Sequence, residues 1–387
     1  MQQISLGKTL DVEVVEQELA ALWQGSTDAP GADDETAILR ARAANLLVFV
    51  SDEKSLEEVH KLLPELTAAH PSRVLTMLGE SEAPDCDIEM YVSALSQKEK
   101  LASQKRLCCE EVTLKAQGSF VAELPSAALP LLVSDLPTFL WWRSVVDSSQ
   151  KVFRNLLHAS DRLIVDSVEF AKPIAELLAI NEIFQKDYGT PVGISDLNWS
   201  RLTSWRGLLA DFYDVAEYRT ALDNIDNVHI SYVAPQADAN AIGPQALLMA
   251  GWLASRLQWD VLDKPASGAA DERTSFEFSS KRGQTITVEL HRIKDAAIHP
   301  GRLAHVELQS LAHGRSFKVE RSADRERVVT EAKLGSDVQG GRVLPVRNRS
   351  TAQLLSREME ILCNDQMYQE AVSMAARMVD HLSSDVG

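Results

Sequence analysis

The spacing of hydrophobic positions changes along this chain, and each change predicts a different kind of element. Val12, Val15, Leu19, Leu22 and Trp23 recur at helical spacing, which predicts an amphipathic helix, and the polar, turn-rich stretch from Gly25 to Gly31 predicts a linker behind it. Helices are also predicted over Glu35 to Asn45 and Glu53 to Ala69. Leu46 to Val50 is a short, wholly apolar run of the kind a strand buried on both faces needs; Arg73 to Leu78 predicts another strand, and Ile88 to Leu95 and Leu107 to Gln117 alternate as strands do. A predicted helix over Ser119 to Val133 then leads to Pro137-Thr-Phe-Leu-Trp-Trp-Arg143. Strands alternating with helices predict an α/β domain with a mixed sheet.

A second unit is predicted to begin after Arg162 to Asp166, with a helix carrying Phe170, Ile174, Leu177, Ile180 and Phe184 on one face. A helix over Asn198 to Tyr213, a strand over Asn227 to Val233 and a helix over Pro244 to Leu257 follow, the last apolar nearly all round and hence buried. From Ser275 the period becomes two: Phe276 and Phe278, then Ile286, Val288 and Leu290, then Ala304, Val306 and Leu308, then Phe317 and Val319. That pattern predicts an antiparallel meander with one wet face and helices behind the other. Leu355, Met359, Leu362, Ala371, Ala375, Met378 and Leu382 predict C-terminal helices with a break near Asn364-Asp365. The expected organisation is an N-terminal α/β domain with a mixed sheet over residues 1–165 and a C-terminal α+β domain, meander plus helices, over residues 166–387.

Composition narrows the class. With 45% apolar and 25% charged residues the chain has the make-up of a folded globular protein. The start lacks the apolar core of a signal peptide, and the longest greasy segment, Ala127 to Val133, is interrupted by Pro130, so a cytoplasmic protein without a membrane partner is expected. A net charge of −17 with dispersed basic residues argues against nucleic acid as a partner. Cys86, Cys108, Cys109 and Cys363 show neither a disulfide framework nor metal spacing, which fits buried or half-buried thiols and leaves a redox switch open.

Candidate chemistry is sparse. The chain contains no GxGxxG behind a strand and no GxxxxGK[ST], HExxH or GxSxG, so no cofactor, no metal and no catalytic residue is nominated. His291, His299, His305 and His313 cluster in the predicted meander, but His305 shares strand parity with Glu307 and Gln309, away from the apolar face, and reads as a surface histidine. Two segments instead combine large aromatics with arginine: Asp135-Leu-Pro-Thr-Phe-Leu-Trp-Trp-Arg143 and Asp196-Leu-Asn-Trp-Ser-Arg-Leu-Thr-Ser-Trp-Arg206. Trp141, Trp142, Arg143, Trp199, Arg201, Trp205 and Arg206 are the candidate partner-binding residues, because tryptophan and arginine dominate protein–protein hot spots. On one helix, Arg201 and Trp205 would share a face and allow a cation–π contact of about 0.5–2 kcal/mol. Equally open is the reading in which the tryptophans cement sheet to helix and the arginines pair with acids.

These two segments, together with Phe153-Arg-Asn-Leu-Leu and Asp161-Arg-Leu-Ile-Val-Asp-Ser167 between them, resemble the OpcA family, the bacterial glucose-6-phosphate dehydrogenase assembly proteins. The motifs stand in the family's order and at similar spacing; outside residues 40–213 the likeness is one of layout. The resemblance implies a non-catalytic assembly factor and allosteric activator that binds glucose-6-phosphate dehydrogenase, the NADP-dependent enzyme opening the oxidative pentose phosphate pathway, and promotes its active oligomer. Cyanobacterial members are redox-controlled through C-terminal cysteines; here that part holds only Cys363, so such control is not carried over. An alternative is a sugar-phosphate-binding enzyme or sensor in which Arg143, Arg201 and Arg206 hold a phosphate.

Overall fold

Every position of Ala44–Val50 (β3) is buried, which is possible only where both faces of the strand are covered. The computed structural model describes residues 2–4, 12–27, 38–40, 42–96, 106–186, 192–262, 272–346, 349–361 and 363–383. Two units emerge: residues 1–165, 187–197 and 349–364 form the first, and residues 166–186, 198–348 and 365–387 the second. The chain thus passes between units at four points beyond the boundary expected at 165/166.

In the first unit, Gln2–Ile4 (β1), Val12–Thr27 (α1), Ile38–Arg40 (β2), β3, Glu53–Ala69 (α2), Ser72–Glu80 (β4), Cys86–Ser96 (β5), Arg106–Gln117 (β6), Leu124–Ala128 (α3), Thr138–Arg143 (β7), Lys151–His158 (α4) and Arg162–Val165 (β8) follow in order. Gly193–Asp196 (β9) closes a mixed nine-stranded sheet in the order β1-β5-β6-β4-β3-β7-β8-β9, with β2 beside β6. The strands from β6 to β9 pair in parallel, while β5 and β1 add antiparallel. Asp52 caps α2 by accepting from the Ser55 N–H, and Leu56, Val59, Leu63 and Leu66 lie against Leu46, Val48 and Val50. Burial of each such side chain contributes about 1.5–3 kcal/mol. Leu354, Leu355 and Met359, from the helix Thr351–Glu360, complete this cluster.

Two expectations for this unit are corrected. The helix expected over Glu35 to Asn45 gives way to β2, which pairs with β6, and to the start of β3; residues 28–37 and 41 lie outside the described part. The helix expected over Ser119 to Val133 is split into 3-10, α and 3-10 turns, with Pro125 and Pro130 each at the start of a piece, where the missing N–H does least harm.

The second unit begins with Pro173–Gln185 (α5), then Leu197–Arg201 (α6, its first residue counted with the first unit), Thr203–Phe212 (α7), Ala216–Leu222 (α8), Asn227–Val233 (β10), Pro244–Leu257 (α9), Asp260–Val261 (β11), Arg273–Ser279 (β12), Thr285–Ile293 (β13), Leu303–Ser310 (β14), Arg315–Arg321 (β15), Arg327–Leu334 (β16) and Asp337–Pro345 (β17). Thr351–Glu360 is α10, in the first unit, and Gln366–Ser383 is α11, in the second. The eight-stranded sheet runs β11-β12-β13-β10-β14-β15-β16-β17. The expected meander is therefore interrupted: β10 sits between β13 and β14, parallel to the former and antiparallel to the latter. The connection between β13 and β14 is long enough to step over the inserted strand. Buried and half-buried positions alternate along β10, β12 and β13, as one dry face requires. On that face α9 is buried almost throughout, and it approaches α11 so closely that a Cβ on Gly251 would stand 2.3 Å from the Ala371 carbonyl oxygen. No helix among the described residues is long and apolar enough to cross a membrane.

Candidate functional site

The first aromatic segment is β7, between β3 and β8, and alternation sends its tryptophans to opposite faces. Trp142 stacks on Phe49 at 4.2 Å and meets Phe153 edge-on at 4.8 Å, its indole N–H donating to the Val145 carbonyl at 3.1 Å. The stack needs Gly79 on β4, where a Cβ would lie 2.8 Å from the Phe49 ring. Trp141 joins the α2 cluster on the other face. The Arg143 guanidinium lies 5.2 Å from the Trp141 ring and donates to Glu58 at 2.9 Å. Both tryptophans are at most 2% exposed, so this segment is cement within its unit.

The second segment differs from the expectation. The single helix over Asn198 to Tyr213 is broken at Leu202 into α6 and α7, so Arg201 and Trp205 do not make the expected pair. Arg206 instead lies over the Trp199 ring at 3.4 Å, and the Trp199 N–H donates to Asp365 at 2.8 Å. Arg201 donates both terminal nitrogens to Asp166, at 2.5 and 2.7 Å, the two-pronged geometry that suits guanidinium to carboxylate. Beneath it, Asn198 donates to Ser167, Gln245 donates to Asn198, and the Leu303 N–H donates to Gln245, a buried relay from 2.7 to 3.0 Å. Trp199 and Trp205 are buried.

Arg201 and Trp205 reach one wall of a cavity of about 270 Å3 wholly within the second unit. Arg302, Arg321, Ser204, Asp211 and Leu344 also line it. Arg321 donates to the Leu303 carbonyl at 2.8 Å, and Asp211 accepts from Arg342. Burial, and then the neighbouring Arg201, push Arg302 down to about 10, against the pull of Asp166. Its Nε is buried and meets no acceptor among the described residues.

Arg302 and Arg321 escaped the sequence reading, yet a signal was there. Arg321 continues the parity of Phe317 and Val319 toward the dry face, whereas Arg302 stands just before β14, past the register shift opposite Ser231 and Tyr232, and reaches the cavity from there. Of the histidines, His305 is half-buried between Glu307 and Glu320, 3.7 Å from each. No group of three metal-ligating side chains occurs among the described residues. Cys86 and Cys363 are exposed and Cys109 is buried; the side chain of Cys108 lies outside the described part. Three of the exposed apolar side chains, Val338, Val343 and Leu344, lie together on the edge strand β17.

A mixed-sheet α/β unit and a second unit built on one broad sheet define a two-unit α/β protein, with the four tryptophans of its aromatic–arginine segments buried. The chain belongs to the OpcA family: the model described as the glucose-6-phosphate dehydrogenase subunit N-terminal domain matches residues 64–182, and that of the C-terminal domain matches residues 192–372. A relative called putative OxPP cycle protein OpcA, from Nostoc punctiforme, is 32% identical over 233 residues, 59% of this chain and 47% of that protein. Its namesake from Synechocystis sp. is 29% identical over 315 residues, 80% of this chain and 64% of that protein. The chain thus spans about half the length of the first and under two thirds of the second. Among solved structures, apo levoglucosan dehydrogenase aligns at a TM-score of 0.50 and 11% identity, covering 89% of this chain and 98% of that one. A mutant 3-ketoreductase from Actinomadura kijaniata aligns at 0.50 and 10%, with the same coverage. At such identities the likeness is one of fold.

Proposed function

We propose that this chain is a non-catalytic partner of glucose-6-phosphate dehydrogenase that binds the enzyme in the cytoplasm, promotes its active oligomer and raises its response to glucose 6-phosphate. The observation that carries this reading is the match of both family models, each described as a domain of that dehydrogenase's subunit, over residues 64–182 and 192–372. An effector of this kind acts only by binding the active form more tightly than the inactive one, and about 1–3 kcal/mol of coupling suffices for ordinary activation.

The seven aromatic and arginine residues enter as supports behind the contact surface, since the four tryptophans are buried and Arg143 and Arg201 are tied to Glu58 and Asp166. For the contact itself we assign β17, an exposed strand that presents Val338, Val343 and Leu344 and, among the described residues, pairs on one side only. Titrating the chain into its own organism's dehydrogenase should lower the glucose 6-phosphate concentration at half-maximal rate. An unchanged curve at saturating chain would reject the reading.

A further inference from the structure

The dry face of the second unit's sheet ends in more positive charge than its own carboxylates take up. Arg201 is engaged by Asp166, Asp211 by Arg342, and Arg321 donates to backbone carbonyls. Arg302 makes no side-chain hydrogen bond or ion pair among the described residues, and its Nε is buried. Of the charged side chains lining the cavity, the guanidiniums of Arg201, Arg302 and Arg321 stand against the single carboxylate of Asp211, an excess of two positive charges that is unchanged when their partners Asp166 and Arg342 are counted, since these cancel. Arg302 is half-buried, but a buried Nε–H without an acceptor costs free energy, and an anion in the cavity that accepts from this guanidinium removes that cost.

We propose that this cavity binds a small phosphate monoester, with the phosphate on Arg302 and Arg321 beside the first turn of α7 and the organic part against Trp205 and Leu208. Three observations select this class. The excess of two matches the charge of about −1.5 to −2 that a phosphate monoester carries near neutral pH, whereas a single carboxylate leaves one charge uncovered. Ser204, in the first turn of α7, adds a hydroxyl where helix N–H groups already favour anions. The wall of Trp205, Leu208 and Val328 is apolar, which inorganic phosphate alone would leave uncovered, and about 270 Å3 suits a small ester. The inference does not depend on the dehydrogenase reading, because it concerns the isolated chain.

Calorimetric titration of the full chain at low ionic strength tests it, with glucose 6-phosphate and glycerol 3-phosphate as probes and glucose and inorganic phosphate as controls. Expected is saturable binding of at least one ester, none of glucose, and inorganic phosphate weaker by about tenfold or more. Arg302→Gln should abolish ester binding while leaving the ligand-free melting temperature equal or higher, because it removes a charge crowded by its neighbours; Arg302→Lys should retain part of the binding. The proposal is overturned if neither ester binds up to about 10 mM, if inorganic phosphate binds as tightly as the esters, or if Arg302→Gln binds like the native chain. A lower ligand-free melting temperature in both variants would likewise overturn it, by assigning Arg302 a structural role.

Discussion

On β7, Trp141, Trp142 and Arg143 lie between two covered faces, with every ring packed and the guanidinium held by Glu58; on α6 and α7, Trp199, Arg201, Trp205 and Arg206 are also packed, but Arg201 and Trp205 form the wall of an open space. The same residue types thus serve as interior cement in one unit and as cement beside a cavity in the other. What separates them is the backbone beneath. A parallel strand flanked on both sides has no free face, whereas a helix broken at Leu202 turns one side inward and leaves room above the sheet end. Arginine and tryptophan in a sequence therefore announce strong local packing before they announce a partner.

The contrast can be broken by substitution. Trp142→Ala should cost about 3–5 kcal/mol by denaturant unfolding, because Phe49 and Phe153 lose their shared ring; a cost below about 1 kcal/mol would mean that β7 is not cement. Asp166→Asn leaves the Arg201 guanidinium without its carboxylate and should cost about 3 kcal/mol. It should also strengthen phosphate-ester binding by adding positive charge beside the cavity, and unchanged ester affinity would separate the pair from the cavity. Arg206→Ala should lose about 1 kcal/mol of stability with the Trp199 contact.

The smallest effect is one of pH, on the other face of the same sheet. The His305 ring 3.7 Å away chiefly, opposed by burial, holds the Glu307 carboxyl down to about 2 from 4.5. A carboxyl lowered on folding stabilises the native state above its unfolded value, and that contribution fades as pH falls from about 4.5 toward 2. Glu307→Gln should be less stable than the native chain near neutral pH, by about 0.5 kcal/mol for a solvent-screened pair, with the gap closing by about pH 2. A gap that persists at that pH would point to packing rather than charge.

Strong periodicity was legible: the helices Glu53–Ala69 and Pro244–Leu257 and the strand Asn227–Val233 have the expected bounds. Local pattern is silent on partners distant in sequence, so neither the insertion of β10 between β13 and β14 nor the packing of Leu354 and Leu355 in the first unit could be read from it. The strand β17 was missed because all its positions are exposed, which leaves no alternation to detect. The break at Leu202 has no proline or glycine to mark it, and with it went the expected Arg201–Trp205 pair. Arg321 was overlooked because an arginine at the end of an apolar parity reads as the end of the strand rather than as its last inward residue, and Arg302 because it stands outside β14 beside a register shift that no local pattern reveals.

Whether this chain and the dehydrogenase form one complex is decided by sedimentation velocity on the dehydrogenase, the chain and their mixture. The mixture should show a new, heavier species containing both proteins, lost in a Val338→Lys, Val343→Lys variant that keeps its own fold. Two boundaries sedimenting independently at every ratio, or the isolated chain oxidising glucose 6-phosphate unaided, would contradict it.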